Sequence, residues 1–204
     1  MMQNNTGLQP GQTPTGCVIY HGKGLGLDAS STYQDSLPLS SDAFLNQLED
    51  WDFDFTSHSH VPLRTVEEAK AVEEMLVVPG EQAFRLKNLY LRDKKKRNYL
   101  VSLQQDRAID LKALGAELGV GKLSFGSADR LLENLGIRPG AVSPLAMITG
   151  APKGVRFFMD AAAQDADRIY MHPLVNDRTI GMTPTDLMRF FEKIGVAPEW
   201  LALK

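Results

Sequence analysis

The chain has 204 residues, a formal net charge of -3 and a hydrophobic fraction of 43%. This length supports one hydrophobic core rather than two full domains. No apolar run approaches the ~18 residues of a membrane helix, and the N-terminus lacks the basic start and apolar stretch of a signal peptide. The single cysteine, Cys17, excludes an internal disulfide and a cysteine-rich zinc site. We therefore expect a single-domain cytoplasmic protein with no membrane segment.

The N-terminal part, residues 1–37, is rich in Gly, Pro, Gln, Asn, Ser and Thr. Apart from a short apolar run at Cys17–Tyr20, it shows neither the helix period nor the strand period. We interpret it as a low-complexity N-terminal extension. The pattern changes near Ser41, so the folded domain is predicted to cover residues 38–204.

The first half of this domain is predicted to contain two helices and a hairpin. A helix begins at Ser41, where Ser and Asp side chains can cap the first free N–H groups. The segment Thr65–Leu76 opens with a capping-box pair and continues with apolar residues at helical spacing, which predicts a second helix. The alternation in Ala83–Arg92 predicts a strand, and Tyr99–Leu103 is its predicted hairpin partner across a turn at 93–98.

The second half is predicted to mix helices and strands without regular alternation. The loop Ile137–Ile148 contains two prolines and a glycine and is expected to lead into a hydrophobic strand. The predicted helices are Asp110–Leu118, Ser127–Leu135 and Thr183–Ile194, and the other predicted strands are Lys122–Phe125, Val155–Asp160, Arg168–Met171 and Thr179–Met182. This irregular order favours an α+β fold around an antiparallel or mixed sheet.

Positive charge is concentrated in one segment, Arg85–Arg97. It holds seven Lys or Arg residues against one acid, in a chain whose net charge is -3. Because the basicity is local, it predicts a local binding site for a polyanion. Most of these cations fall in the predicted hairpin turn.

Lys87 differs from the other cations because it lies inside the strand pattern. The residues that share its predicted face are Ala83, Arg85, Leu89 and Leu91. Lysine is seldom buried without a partner, so a ligand contact is one interpretation. The other is an edge-strand lysine that blunts aggregation.

Two further segments are candidates for chemistry. The loop Gly140–Pro144 can turn sharply at its glycine and aim N–H groups at a carbonyl or a developing oxyanion, although Gly and Pro also occur in ordinary loops. His172 ends a predicted strand, with Asn176 and Thr179 nearby, and suits the wall of a polar pocket; the alternative is a structural histidine. His58 and His60 lack a third ligand at metal-binding spacing, which favours a solvated loop. No nucleophile motif or paired carboxylates occur, so nucleophilic catalysis by a side chain is not predicted.

Four segments together resemble a known family. In chain order they are Arg85–Lys95, Lys122–Phe125, Leu135–Pro144 and Met171–Thr179. They resemble the free-standing prolyl-tRNA editing proteins, relatives of the editing domain inserted in bacterial prolyl-tRNA synthetases. The resemblance covers residues 40–204 and is closest to the branch that deacylates alanine mischarged on proline tRNA. It implies an α+β fold with a mixed, largely antiparallel, barrel-like sheet flanked by helices.

The resemblance also implies roles for individual residues. Lys87 matches the lysine that contacts the terminal adenosine and its phosphate, Gly140 begins the loop that cradles the aminoacyl carbonyl, and His172 matches the pocket histidine; these three are the expected catalytic residues. The expected substrate-binding residues are Met75, Leu76, Asn88, Ala141, Val142, Ser143, Pro144, Met171, Asn176 and Thr179. The expected contacts to the tRNA backbone are Arg92, Lys94, Lys95, Lys96 and Arg97.

The implied reaction agrees with the residue inventory. A pocket shaped for proline rejects alanine weakly, because each missing methylene is worth only ~1–3 kcal/mol, so a second hydrolytic site is needed. Loop N–H groups and a positioned water can hydrolyse an activated ester without a protein nucleophile. We expect tRNA and prolyl-tRNA synthetase as partners, with no cofactor or metal. The alternatives are a non-catalytic tRNA- or synthetase-binding module, and a deacylase for another amino acid such as cysteine.

Overall fold

The computed structural model describes residues 27–63, 72 and 76–203, which contain eight strands and five α-helices. The strands are β1 Thr56–Ser59, β2 Ala83–Asp93, β3 Asn98–Gln104, β4 Leu123–Phe125, β5 Arg156–Asp160, β6 Arg168–Met171, β7 Arg178–Met182 and β8 Glu199–Leu201. The helices are α1 Ser41–Asp50, α2 Leu111–Glu117, α3 Ala128–Leu135, α4 Met147–Gly150 and α5 Pro184–Lys193. None of the helices in these ranges is long and apolar enough to cross a membrane.

The strands form one mixed sheet in the order β1-β7-β6-β2-β3-β5-β8, with β4 also paired to β2. The antiparallel pairs are β1/β7, β2/β3, β2/β4 and β6/β7, and the parallel pairs are β2/β6, β3/β5 and β5/β8. Helices pack on this sheet, so the predicted α+β class is confirmed. Within the described ranges the strand pairing runs from β1 to β8 without joining those two ends.

The predicted hairpin forms the centre of the sheet. Residues Leu86–Arg92 of β2 pair with β3, while its first residues pair with β6 and its last residues pair with β4. Because β2 has strands on both sides, it is an internal strand. At Lys87 itself the described pairing is to β3 alone, because the β6 pairing ends at Arg85 and the β4 pairing begins at Leu91, so the edge-strand interpretation stays a prediction.

The alternation of β2 divides the apolar residues between two cores. Phe84 and Tyr90 point into the main core, which also holds Phe44 of α1 and Phe190 of α5. Leu89 and Leu91 point to the opposite side, where the second core packs them against α2 and β4. Burial of apolar side chains on both faces therefore stabilises this hairpin.

Helix starts follow the side-chain capping pattern. The hydroxyl of Ser40 accepts from the N–H of Ala43 at 3.2 Å, so α1 is capped one residue before the predicted Ser41. Ser127 caps α3, and Gly136 ends it with φ 69°. Thr183 accepts from the N–H of Asp186 at 3.1 Å at the start of α5.

The prediction of a hydrophobic strand at the end of the Ile137–Ile148 loop is wrong. Pro144–Ala146 form a 3-10 turn that continues directly into α4. The hydroxyl of Ser143 accepts from the N–H of Leu145 at 3.3 Å, and Pro144 stands in the first turn, where no N–H donor is needed. Short buried apolar runs have no period that separates helix from strand, so the capping residues were the better signal.

Two strands were not predicted, and one predicted helix lies outside the described residues. β1 is polar and pairs along β7, with Thr56 opposite Gly181. β8 has three residues and pairs with β5. Neither is long enough to show a convincing alternation. The helix predicted at Thr65–Leu76 falls almost entirely among residues that the structure does not describe.

The last part of the predicted N-terminal extension packs against the loop between β6 and β7. The carbonyl of Ala29 accepts from the N–H of Asn176 at 2.9 Å. Ser31 donates to the Asp177 carboxylate from its N–H at 2.9 Å and from its hydroxyl at 2.6 Å. Ala29 and Ser30 are buried. Residues 27–37 therefore contact the domain, although the sequence analysis placed them before it.

We predict that these contacts stabilise the domain. A chain that starts at residue 38 is expected to melt roughly 5–10 °C below one that starts at residue 27, because two hydrogen bonds to a charged carboxylate and the burial of Ala29 are lost. Thermal unfolding of the two truncated chains, followed by circular dichroism, measures this difference. Equal melting temperatures would show that the contacts add no stability.

Candidate active site

A cleft lies between β2 and the β6–β7 hairpin and has a cavity volume of about 150 Å³. It brings together five of the residues expected from the sequence. The lining residues are Leu63, Val72, Leu76, Val77, Arg85, Leu86, Asn88, Gln105, Tyr170, Met171, His172 and Thr179. The predicted residues Leu76, Asn88, Met171, His172 and Thr179 are therefore neighbours in one site.

His172 presents a neutral imidazole to this cleft. Its Nδ1 lies 2.8 Å from the carbonyl oxygen of Arg178, and a carbonyl only accepts, so Nδ1 carries the proton. The lone pair of the neutral ring is then on Nε2. Burial lowers the pKa of His172, the Arg178 carbonyl and the Asp177 charge oppose that shift, and the nearby His60 adds to it. His172 can therefore accept a proton near neutral pH.

His60 belongs to the same site and was missed by the sequence analysis. Its Nδ1 donates to the carbonyl of Val61 at 2.8 Å, and its Nε2 lies 2.9 Å from the hydroxyl of Thr179. The rings of His60 and His172 are 6.1 Å apart between centroids. The solvated-loop interpretation of His58–His60 is wrong, because His58 lies in β1 and His60 contacts β7. No group of three or more His, Cys, Asp or Glu residues that could hold a metal ion occurs among the described residues.

Asn88 connects the cleft to the predicted oxyanion loop. Its amide donates to the carbonyl of Val142 at 2.9 Å, and its carbonyl accepts from the hydroxyl of Ser102 at 2.6 Å. The N–H of Ala141 donates to Arg138, whereas the N–H groups of Val142 and Ser143 donate to no described residue. The loop does not itself line the cleft, but it borders the cleft across Asn88.

Gly140 permits this loop to pass close to Asn176. Its φ is 101°, in the region that favours glycine, and a Cβ there would lie 3.3 Å from the Asn176 amide nitrogen. That nitrogen donates to the carbonyl of Leu63 at 3.3 Å. Asn176 does not line the cleft; it supports the cleft wall at Leu63 instead.

Lys87 does not line the described part of the cleft. Its Nζ donates to the carbonyl of Arg107 at 2.6 Å, and the Arg107 guanidinium contacts the buried carboxylate of Asp160 at 3.1 Å. Burial lowers the pKa of Lys87, and the charge of Asp106 opposes that shift. The role of Lys87 towards a ligand remains a prediction.

The basic hairpin turn contains cations of two kinds. Arg97 folds back onto Asp93, whose carboxylate accepts from Arg97 Nε at 2.7 Å and from the Tyr99 hydroxyl at 2.8 Å. Burial acts to raise the pKa of Asp93, but these hydrogen bonds and the Arg97 charge together lower it to about 2. Arg92 is half-buried, whereas the side chains of Lys94–Lys96 are exposed. The exposed lysines are the better placed of these residues to meet a backbone phosphate.

Tyr170 lines the cleft, although no pattern in the sequence indicated it. Its hydroxyl donates to the Glu81 carboxylate at 2.9 Å and lies 3.1 Å from the carbonyl oxygen of Leu76. Burial and the hydrogen bond to Glu81 raise its pKa to about 12. Tyr170 therefore fixes the wall at Leu76 as a neutral phenol. The other predicted residue of that wall, Met75, lies outside the described residues.

The fold and the cleft define a small α+β domain with a polar site beside a basic hairpin. A model of the aminoacyl-tRNA editing domain family matches residues 60–190. The chain therefore belongs to the aminoacyl-tRNA editing domain family, and the resemblance seen in its motifs is confirmed.

Individual proteins agree with this assignment. The chain is 36% identical over 137 residues to prolyl-tRNA synthetase associated domain-containing protein 1 of Mus musculus, covering 64% of this chain and 80% of the relative. It is 32% identical over 154 residues to the prolyl-tRNA editing protein ProX of Acetoanaerobium sticklandii, covering 75% and 91%. A solved structure described as a candidate trans-editing enzyme for prolyl tRNA synthetase shares the fold, with a TM-score of 0.55, 18% identity and coverage of 80% and 98%.

Proposed function

We propose that this protein hydrolyses the ester of alanine mischarged on proline tRNA in trans, releasing alanine and free tRNA. The observation that carries the proposal is the neutral His172 in a small cleft, within a chain that is similar to a prolyl-tRNA editing protein over 154 residues. A small cleft lined by both apolar and polar side chains suits one amino-acid side chain and its ester rather than a large ligand.

The proposed chemistry uses a water molecule as the nucleophile. Nε2 of His172 accepts a proton from the water as the water oxygen bonds to the ester carbonyl carbon. The N–H group of Val142, in the loop that Asn88 connects to the cleft, is the proposed donor to the developing oxyanion. The bond from carbonyl carbon to ribose oxygen then breaks, and the ribose oxygen takes the proton that Nε2 of His172 accepted from the water, which returns the imidazole to its neutral form.

The proposed specificity depends on the shape of the wall rather than on cavity volume. An engineered cavity of about 150 Å³ holds a benzene molecule, so a volume of this size alone does not exclude a prolyl ring. Leu76 and Met171 are the apolar residues that we assign to the sieve. A packed apolar wall excludes a ring of fixed shape more readily than it excludes a methyl group.

The proposed binding to tRNA uses the basic hairpin. Lys87 anchors the phosphate of the terminal nucleotide, and Lys94–Lys96 contact the backbone with less specificity. Such contacts release counterions, so binding weakens as salt increases. Prolyl-tRNA synthetase is the proposed source of the mischarged tRNA, and a cytoplasmic location remains a prediction.

The decisive experiment is a deacylation panel with purified protein. Alanyl, cysteinyl and prolyl esters of proline tRNA are incubated with and without the protein, and the remaining ester is measured over time. We expect a shorter lifetime only for the alanyl ester. Preferential loss of the cysteinyl ester would assign a different substrate, and binding of tRNA without loss of any ester would indicate a non-catalytic module.

Asn88 is predicted to matter because it fixes the oxyanion loop. Asn88→Ala removes the donor to the Val142 carbonyl, and we expect kcat/KM for the alanyl ester to fall roughly tenfold to a hundredfold, since a displacement of about 1 Å can cost that much. Ser102→Ala is the matched control, because it removes the other hydrogen bond of Asn88 and leaves the loop contact in place. Equal losses in both variants would contradict the loop-fixing role.

A further inference from the structure

The hydroxyl of Thr179 has a fixed direction within the cleft. Nδ1 of His60 donates to the Val61 carbonyl, so Nε2 of the neutral ring has the lone pair and accepts the Thr179 hydroxyl proton. Thr179 is 6% exposed and lines the cleft. With its proton committed to His60, the Thr179 oxygen can only accept a hydrogen bond from a ligand.

We propose that Thr179 accepts a hydrogen bond from the α-ammonium of the aminoacyl group and that His60 is the positioning residue that makes Thr179 an acceptor. This inference rests on the proposed function, because it assumes an aminoacyl ester in the cleft. An ammonium has three donors and no acceptor, so it requires acceptors in a site from which water is largely excluded.

The charges around the cleft agree with this assignment. Among the described lining residues there is no Asp or Glu, and the Thr179 oxygen is a neutral acceptor. The charged lining residue, Arg85, is on β2, which is separated from β7 by β6. Two strand spacings place the β2 and β7 backbones roughly 10 Å apart, so the ammonium need not lie beside the guanidinium.

With this contact, two neutral side chains of the cleft have separate roles. His172 has its acceptor nitrogen available for the water, and Thr179 on the neighbouring strand β7 is the acceptor for the amino group. Both alanine and proline have an amino group, so the contact does not separate them. It separates aminoacyl esters from acyl esters that lack nitrogen.

The test measures binding of two stable adenosine analogues by calorimetry. One carries an alanyl group and the other a propionyl group, each joined to the 3′ position through an amide. We expect the wild-type protein to bind the alanyl compound about tenfold to a hundredfold more tightly, as for a hydrogen bond to a charged group. Thr179→Val should abolish this preference without weakening the propionyl compound, and Thr179→Ser should retain it. Melting temperatures check that each variant is folded.

A double variant tests the role of His60. His60→Ala should reduce the preference for the alanyl analogue, as Thr179→Val does. The double variant should lose no more of this preference than Thr179→Val alone, because both substitutions act on one hydrogen bond. Additive losses, or an unchanged preference in His60→Ala, would overturn the positioning role. Equal binding of the two analogues by the wild-type protein, or binding of neither, would overturn the whole inference.

Binding of the analogues and hydrolysis of the esters can give different outcomes. If the wild-type protein prefers the alanyl analogue through Thr179 but does not shorten the lifetime of the alanyl ester, the inference holds and the hydrolytic function is wrong. If it hydrolyses alanyl and propionyl esters of tRNA at equal rates in both the wild type and Thr179→Val, the function holds and the inference is wrong.

Discussion

Replacement of His172 by alanine is expected to lower kcat/KM for the alanyl ester about a hundredfold, because general base catalysis contributes at least that much. The variant should keep its fold, because His172 is not part of the main hydrophobic core and its imidazole bonds the backbone at Arg178. Steady-state deacylation of mischarged tRNA measures the effect. His172→Gln is a useful companion, because it keeps a polar side chain that cannot take up a proton near neutral pH.

The pH dependence gives a second measurement on the same residue. Burial lowers the pKa of His172 from its ordinary value of 6.5, with a contribution from His60 and opposition from Asp177 and the Arg178 carbonyl. The ring therefore stays neutral as pH falls through 6.5 and becomes protonated only below that value. We expect the loss of kcat/KM that comes from protonation of His172 to be centred below pH 6.5. A decline centred at or above pH 6.5 would contradict a buried neutral base.

Lys87→Ala is predicted to abolish most deacylation while leaving the fold intact, because it removes the proposed anchor for the terminal phosphate. Its effect should exceed that of replacing Lys94, Lys95 and Lys96 together by alanine. Lys87→Arg is the matched control, since it keeps the charge and changes the geometry. Deacylation rates and tRNA binding are measured for all three variants.

Salt dependence separates the two kinds of lysine. Each lost phosphate contact should reduce the slope of log affinity against log salt by about 1. The triple variant should therefore show a shallower slope with a modest loss of rate, whereas Lys87→Ala should show a large loss of rate. Full activity of Lys87→Ala would remove Lys87 from the mechanism and leave it as the residue that bonds the Arg107 carbonyl.

Local signals in the sequence predicted the elements with strong periodicity or clear caps. The β2–β3 hairpin has alternating residues that fill two cores, and α5 has Thr183 and Pro184 at its start. The short run after Pro144 lacked a period, and a helix formed where a strand was predicted. Strands β1 and β8 form because their partners provide a sheet edge, which a local pattern does not contain.

The candidate site was predicted where its residues belong to recognisable motifs. Asn88, His172 and Thr179 do so, and the structure places them in one cleft. His60 was missed because its partner, Thr179, is 119 residues further along the chain. No spacing rule connects such positions. Tyr170 was passed over because a tyrosine in a strand usually indicates packing, and its contacts with Leu76 and Glu81 depend on the folded sheet.

The bonds from Ala29 and Ser31 to Asn176 and Asp177 have a consequence for where this domain can be cut. The family model begins at residue 60 and ends at 190, so a fragment trimmed to those limits would lack α1, β8 and the N-terminal contacts. Asp177 would keep its charge without the Ser31 donors, and Phe190 would lose the ring of Phe44, which lies 5.9 Å away between centroids. The region that the family model matches is therefore smaller than the set of elements that pack together in this domain.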